Sequence, residues 1–292
     1  MSDATIRFSP IVAGLWRLAD WQLDVAARVR WIEQVLELGI TTFDHADIYG
    51  DYRCEALFGQ ALAAAPQLRQ RMQLVTKCGI RLTGSEHPYR LNHYDTTAAY
   101  VRGQVEASLR KLHTEQLDVV LLHRPDYLMD AQALAETCRE LTAEGKVAHW
   151  GVSNHRPSQL ALLHDALPLV AHQVELSPLA MGALDDGTLD QCQQMRLAPM
   201  IWSPLAGGRL FTGEDAQALR VRAELESQAH AKGVSVSAVV YAWLLRHPSR
   251  PHPITGSGRI ERLREAVEAR HVAMPNEDWY AIWQASTGHP VP

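Results

Sequence analysis

An α/β fold, specifically a (β/α)₈ TIM barrel, is the class this sequence predicts, on three observations. Short β-rich apolar runs alternate with longer amphipathic stretches, as parallel strands linked by crossover helices require. The runs end, one after another, on polar residues, where the mouth of a parallel barrel would gather them. No low-complexity tract or linker divides the 292 residues, a length that admits one large barrel, so residues 1–292 are read as one barrel domain with an additional C-terminal helix.

The eight predicted strands are Ile11 to Trp16, Thr41 to Asp44, Gln73 to Lys77, Leu117 to His123, Val147 to Ser153, Val170 to Glu175, Pro199 to Ser203 and Pro253 to Gly256. Between the first two, Val25, Val29, Ile32, Val35 and Leu36 recur at helical spacing, and Gly39 stops the helix. A second helix runs from a Thr96 or Thr97 cap through Val101, Val105 and Leu109, and a third spans about Ala131 to Glu144 with Gly145 beyond it. The stretch from Ile80 to Asp95 has no clear period and reads as a loop over a site. Gly213 to Gly233 reads as an excursion between strand seven and its helix. After Met274, the spacing of Trp279, Ile282 and Trp283 predicts the extra helix.

Composition narrows the function. With 47% hydrophobic and 21% charged residues the chain is an ordinary globular one. A net charge of −5 without a clustered Lys/Arg excess argues against a nucleic-acid partner. No apolar run approaches the ~20 residues needed to span a bilayer, and the start Met1-Ser2-Asp3-Ala4-Thr5 lacks a signal-peptide pattern, so a soluble cytoplasmic protein is expected. Four scattered cysteines, Cys54, Cys78, Cys138 and Cys192, read as reduced thiols. The histidines show no H-x-H or H-E-x-x-H spacing, so no metal is assigned; His87, Tyr89, His93 and Tyr94 are candidates to line a substrate mouth. Trp31, Trp243, Trp279 and Trp283 fit helix faces and read as core, whereas Trp16 ends strand one.

The strand-end residues are Asp44, Lys77, His123, Ser153 with Asn154, Gln173 with Glu175, and Ser203. Asp44 and Lys77 on neighbouring strands make either a structural ion pair or a pair that tunes an adjacent acid. Tyr49, five residues beyond Asp44, is placed to be that acid. A cation within ~4–6 Å would lower its pKa from ~10, and His123 would orient a carbonyl oxygen or relay the proton.

Thr42-Phe43-Asp44-His45-Ala46-Asp47-Ile48-Tyr49-Gly50 resembles the F-D-T-A-x-x-Y-G segment of the aldo-keto reductases. Thr76 to Gly79, Leu117 to Asp126, Gly151 to Asn154, Gln173 to Glu175 and Trp202 to Gly208 resemble further segments in the family's order, over about residues 10 to 270. The resemblance implies a catalytic tetrad of Asp44, Tyr49, Lys77 and His123, with NADPH as coenzyme and a small carbonyl compound as substrate. It assigns the nicotinamide amide to Ser153, Asn154 and Gln173, and ring stacking to Trp202. The phosphates fall to Ser203, Pro204, Leu205, Ala206, Arg209 and the helix start at Gly256 and Gly258, and the adenosine 2′-phosphate to Arg262. Gly14, Trp16 and Glu265 complete the coenzyme contacts. Departures are Leu15 for a common Thr, Gly256 for a common Lys and Ala266 for a common Asn; Arg259 either compensates or is a solvated helix-start charge.

Two other classes stay open at this level. Lys77 would serve a barrel lyase as a Schiff-base nucleophile, although Asp44 favours its ammonium form. The Trp202 to Ala206 segment is also shared with the β-subunits of voltage-gated potassium channels, which resemble these reductases and imply a redox-sensing regulatory subunit; no long appendage precedes strand one here, which favours a free-standing enzyme.

Overall fold

Eight parallel strands close into a barrel in the computed structural model, which describes residues 6–84 and 89–292. They are β1 Val12–Gly14, β2 Thr42–Asp44, β3 Gln73–Cys78, β4 Leu117–Leu122, β5 Val147–Ser153, β6 Leu169–Glu175, β7 Ala198–Trp202 and β8 His252–Thr255. Each pairs with its neighbours in sequence, and β8 closes on β1 through Val12 opposite Ile254. All eight coincide with predicted strands to within two residues.

Side chains alternate between the two faces of a strand, so the inward set can be followed by counting in twos. Val12, Val75, Val119, Leu121, Ala171, Met200 and Ile254 fill the barrel interior, with Phe8 packed against them. The same parity carries Asp44, Lys77, His123, Ser153, Gln173 and Trp202 inward at the mouth. The opposite parity, including Phe43, Leu74, Cys78, Val120 and Val152, packs under the outer helices.

The helix Val25–Glu37 starts on an Asp24 cap whose carboxylate accepts the Ala27 N–H at 2.7 Å, and Gly39, at φ +78°, turns the chain out of it. The helix Ala131–Ala143 is capped likewise by Asp130. At the start of Ala98–Lys111 Thr97 occupies the N-cap position as expected but makes no cap hydrogen bond: its Oγ donates to Asp95 at 2.6 Å and Thr96 Oγ to Asp126 at 2.9 Å, tying two loops together.

Two other segments differ from expectation. The stretch from Ile80 contains a two-stranded antiparallel ribbon, Ile80–Arg81 against His93–Tyr94; strands of two residues are too short to show a period. The excursion after β7 is a 17-residue helix, Ala216–Lys232, packed against the C-terminal helix Asn276–Thr287, so it belongs to the wall of the molecule. Trp243 and Trp279 stack there, ring centroids 5.1 Å apart, and each indole N–H donates to the other's carbonyl. Trp31 and Trp243 are core as expected, while Trp279 and Trp283 are only partly covered. All four cysteines are buried free thiols.

Candidate active site

Lys77 is wholly buried at the end of β3, and every direction open to its ammonium is taken. Nζ lies 2.8 Å from both Asp44 oxygens, 2.7 Å from the His45 carbonyl and 2.9 Å from the Tyr49 hydroxyl. Gln173, reaching from β6, donates to Asp44 Oδ1 at 2.8 Å. A buried ion pair is tolerable when its remaining lone pairs and protons are satisfied, which is the case here. Because Nζ donates to the phenol oxygen, the phenol's own proton is free to point away from the lysine.

Tyr49 reaches this position from a tight turn. Gly50, Asp51 and Tyr52 have φ of +58°, +55° and +61°, and a Cβ on Gly50 would sit 2.6 Å from Cys54 Sγ. The Tyr49 and His123 rings meet edge to face, 6.1 Å between centroids. His123 is buried, with Nδ1 unpaired among the described residues.

Burial pulls the Lys77 ammonium down, but the charge of Asp44 and the hydrogen bonds to Asp44 and Tyr49 outweigh it, holding the pKa above the ordinary lysine value. Burial and the cations Lys77 and Arg124 hold His123 well below the ordinary histidine range, so its ring is neutral. For Tyr49 the expectation needs correction. Lys77 does draw the phenol down, but burial is the larger effect and the net displacement is upward. The phenol is therefore fully protonated at neutral pH, held as a donor rather than made unusually acidic.

On the β5–β7 side, Asn154 takes a left-handed conformation at φ +60°. Its Nδ2 donates to Ser153 Oγ at 2.7 Å, and its Oδ1 accepts the Trp202 indole N–H at 3.0 Å. Ser153, Asn154, Gln173 and Trp202 thus form one connected edge of the mouth, joined to the tetrad through Gln173.

The phosphate candidates are more scattered. Ser203, Ala206, Gly207 and Gly208 all have positive φ, in the loop after β7. Ala206 N–H closes back on Ser203 O at 2.8 Å, so that amide is already used. Pro204 is buried and Leu205 half-buried. Arg209, expected on the pyrophosphate, is instead paired with Asp215, its Nη2 2.9 Å from Oδ1 and its Nε 3.1 Å from Oδ2. Gly256 and Gly258 precede the helix Ile260–Glu268. A Cβ on Gly256 would meet nothing within 4 Å, whereas on Gly258 it would strike the Trp21 ring at 2.8 Å. Arg262 and Arg259 are exposed at that helix start and Glu265 is half-buried one turn on. Gly14 packs tightly on β8, a Cβ there meeting Ile254 at 2.6 Å. Trp16 stands 60% exposed on the rim with Arg17 beside its ring, and Leu15 is fully buried. The open glycines after β7 and β8, exposed Arg262 and a polar edge of amides fit a dinucleotide.

Three features escaped the sequence reading. Arg124, directly after His123, has its guanidinium 6.0 Å from the Trp202 ring centroid and acts on Tyr49, His123 and Glu175 by charge. Behind the tetrad, Asp47 and Glu55 are buried; Glu55 accepts from Thr76 Oγ at 2.6 Å and Ser108 Oγ at 3.1 Å. His155 and His172 form a buried pair. Arg124 had a readable signal in its place at a strand end; the others point away from the mouth, where strand ends give none. His93 and Tyr94 form the second strand of the ribbon, paired with Ile80–Arg81, and Tyr89 stacks edge-on against His93 at 5.0 Å; His87 lies outside the described residues.

The description "Aldo/keto reductase family" matches residues 10–286. The chain belongs to the aldo/keto reductase family. It is similar, at 50% identity over 287 residues, to "Oxidoreductase YdhF" of Escherichia coli, covering 98% of this chain and 96% of that one. A "6-dehydroglucose reductase" of Agrobacterium fabrum is 42% identical over 290 residues, 98% of this chain and 97% of the relative. The structure of a glycerol dehydrogenase from Gluconobacter oxydans superposes with a TM-score of 0.85 over 99% of this chain and 95% of that one, at 23% identity, a likeness of fold. As an aldo/keto reductase the protein is a nicotinamide-dependent oxidoreductase of carbonyl and alcohol groups. No helix among the described residues is long and apolar enough to cross a membrane.

Proposed function

We propose that this aldo/keto reductase reduces an aldehyde or ketone to an alcohol with NADPH, Tyr49 acting as the general acid. The observation that carries this reading is the 2.9 Å hydrogen bond from Lys77 Nζ to the Tyr49 hydroxyl at the barrel mouth. When bound, the coenzyme supplies the hydride that reaches the carbonyl carbon. Tyr49 gives its proton to the carbonyl oxygen, and Lys77 stabilises the phenolate left behind. Neutral His123 donates a hydrogen bond that orients that oxygen. Asp44 keeps Lys77 charged and in place, and Gln173 keeps Asp44 in place.

Ser153, Asn154 and Gln173 would hold the nicotinamide amide, with Trp202 against the ring. The Ser203 to Ala206 loop and the Gly256 to Gly258 helix start would take the phosphates, and Arg262 with Glu265 the adenosine end. With Asp215 beside it, Arg209 is a weaker phosphate candidate than Arg262. Arg124 and Glu175 make the mouth polar, which suits a hydroxylated aldehyde, and the name of the Agrobacterium relative points to sugar aldehydes. The Schiff-base reading is disfavoured because Asp44 and Tyr49 hold Lys77 as an ammonium, which is not nucleophilic.

The test is NADPH oxidation over a panel of aldehydes, ketones and sugar aldehydes, run beside NADH. Multiple turnovers are expected with an aldehyde, with NADPH preferred. The Arg262→Ala variant should raise the KM for NADPH by about tenfold, the loss of ~1.4 kcal/mol of binding, and leave that for NADH nearly unchanged. No turnover beyond one NADPH per protein, or covalent capture of a carbonyl on Lys77 by borohydride, would refute the proposal.

A further inference from the structure

The ladder between β5 and β6 runs out at the residues proposed to hold the nicotinamide amide. Ser153 pairs with Gln173, and the Asn154 N–H donates to Gln173 O at 2.9 Å. The next N–H, that of His155, has no strand carbonyl to meet, and His155 is buried. An unpaired buried N–H is disfavoured, and here a side chain supplies the acceptor: His172 Nε2, 3.2 Å away. His172 lies on β6 between Ala171 and Gln173, so it faces outward from the barrel while Gln173 faces in. The His155 ring folds back on the same turn, Nδ1 lying 3.0 Å from Ser153 O. The carbonyl must accept, so Nδ1 carries the proton.

Asn154 needs this support. A non-glycine residue at φ +60° stays there only when its surroundings over-determine it. Its two neighbours are fixed from outside the barrel by histidine rings, and its side chain is thereby aimed at Ser153 Oγ and the Trp202 indole inside. His172 Nδ1 and His155 Nε2 have no partner among the described residues, so neither ring is held by a second polar contact of its own.

We propose that His172 is a positioning residue for coenzyme binding: its bare Nε2 anchors the His155 amide and so holds the Ser153–Asn154 turn that presents the nicotinamide-amide contacts. This rests on the reading that Ser153 and Asn154 hold that amide. Burial keeps both rings neutral, with pKa values pulled down to about 3 for His172 and about 4 for His155, so the acceptor is present at neutral pH.

Gln and Met have side chains of one length, and only Gln offers an acceptor where Nε2 stands. In a fluorescence titration, His172→Met should bind NADPH more weakly by about tenfold and raise the KM for NADPH more than it lowers kcat, while His172→Gln should stay near the unaltered protein. Equal affinity of the Met and Gln variants, whether tight or weak, would overturn the proposal. If the Met variant does not fold, nitrogen-15 spectra of histidine-labelled unaltered protein decide it: an unprotonated His172 Nε2 with the proton on Nδ1 is expected, and a protonated Nε2 would overturn it. Asn154→Ala separates the two readings. If it weakens NADPH binding while His172→Met does not, the positioning role alone falls; if it leaves binding unchanged, the assignment of the amide site falls first.

Discussion

Lys77 governs the proposed chemistry, because its ammonium donates to the Tyr49 hydroxyl and, with Arg124 adding a weaker pull, would steady a phenolate there. Removing it leaves Asp44 buried without its cation. Lys77→Met should therefore lower unfolding free energy by about 3–5 kcal/mol as well as abolish reduction, and adding Asp44→Asn to it should recover much of the stability but none of the activity. Urea unfolding of the two single variants and the double checks this; full additivity would mean the pair is not coupled. At this scale the sequence was most legible. Asp44, Lys77 and His123 close apolar runs, and alternation turned all three inward. The displacement of the Tyr49 pKa was not legible, because its sign depends on how far burial outweighs Lys77. Arg209 was likewise unreadable, since its partner Asp215 is a helix cap six residues on whose use emerges only in three dimensions.

Among the elements, the strands were read from their apolar runs and the helices from their spacing and the closing glycines Gly39 and Gly145, while the Asp24 and Asp130 caps were not read and the ribbon at Ile80–Arg81 has too few residues to carry a signal. The helix Ala216–Lys232 was anticipated only as an excursion, though Asp215 and Gly233 mark its ends: Asp215 accepts the Ala218 N–H at 3.1 Å and Gly233 sits at φ +65°. Asp215→Ala should cost ~0.5–2 kcal/mol through the lost cap, and it also frees Arg209. Tighter NADPH binding in that variant would return Arg209 to the phosphate site; unchanged binding would leave it a partner of the helix alone. Calorimetric unfolding and a coenzyme titration on one preparation read both effects.

For the whole molecule, the barrel buries neutral histidines between its strands and its outer helices. His45 and His172 are pulled to about 3 and His155 to about 4, by burial in each case first. A histidine with its pKa lowered on folding binds protons more readily when unfolded. Its stabilising contribution is complete above ~6.5 and is lost as pH falls from there toward the folded value, with a slope of up to ~1.4 kcal/mol per pH unit. Asp47 and Glu55, raised by burial, act in the opposite sense in the acid range. The difference between proteins isolates one group: between pH 6 and 4 the unaltered protein should lose stability faster than His172→Gln by up to ~1.4 kcal/mol per unit, and parallel curves would mean His172 is not buried neutral.

At its mouth the closed barrel holds a protonated phenol against a buried ammonium. Single-turnover hydride transfer, followed by the loss of NADPH absorbance with coenzyme and aldehyde both saturating, tests that most directly. Tyr49→Phe keeps the ring and removes the proton donor. It should bind NADPH as the unaltered protein does and transfer hydride slower by about 10²–10⁴-fold. An undiminished rate in that variant would contradict the assignment of Tyr49 as the acid.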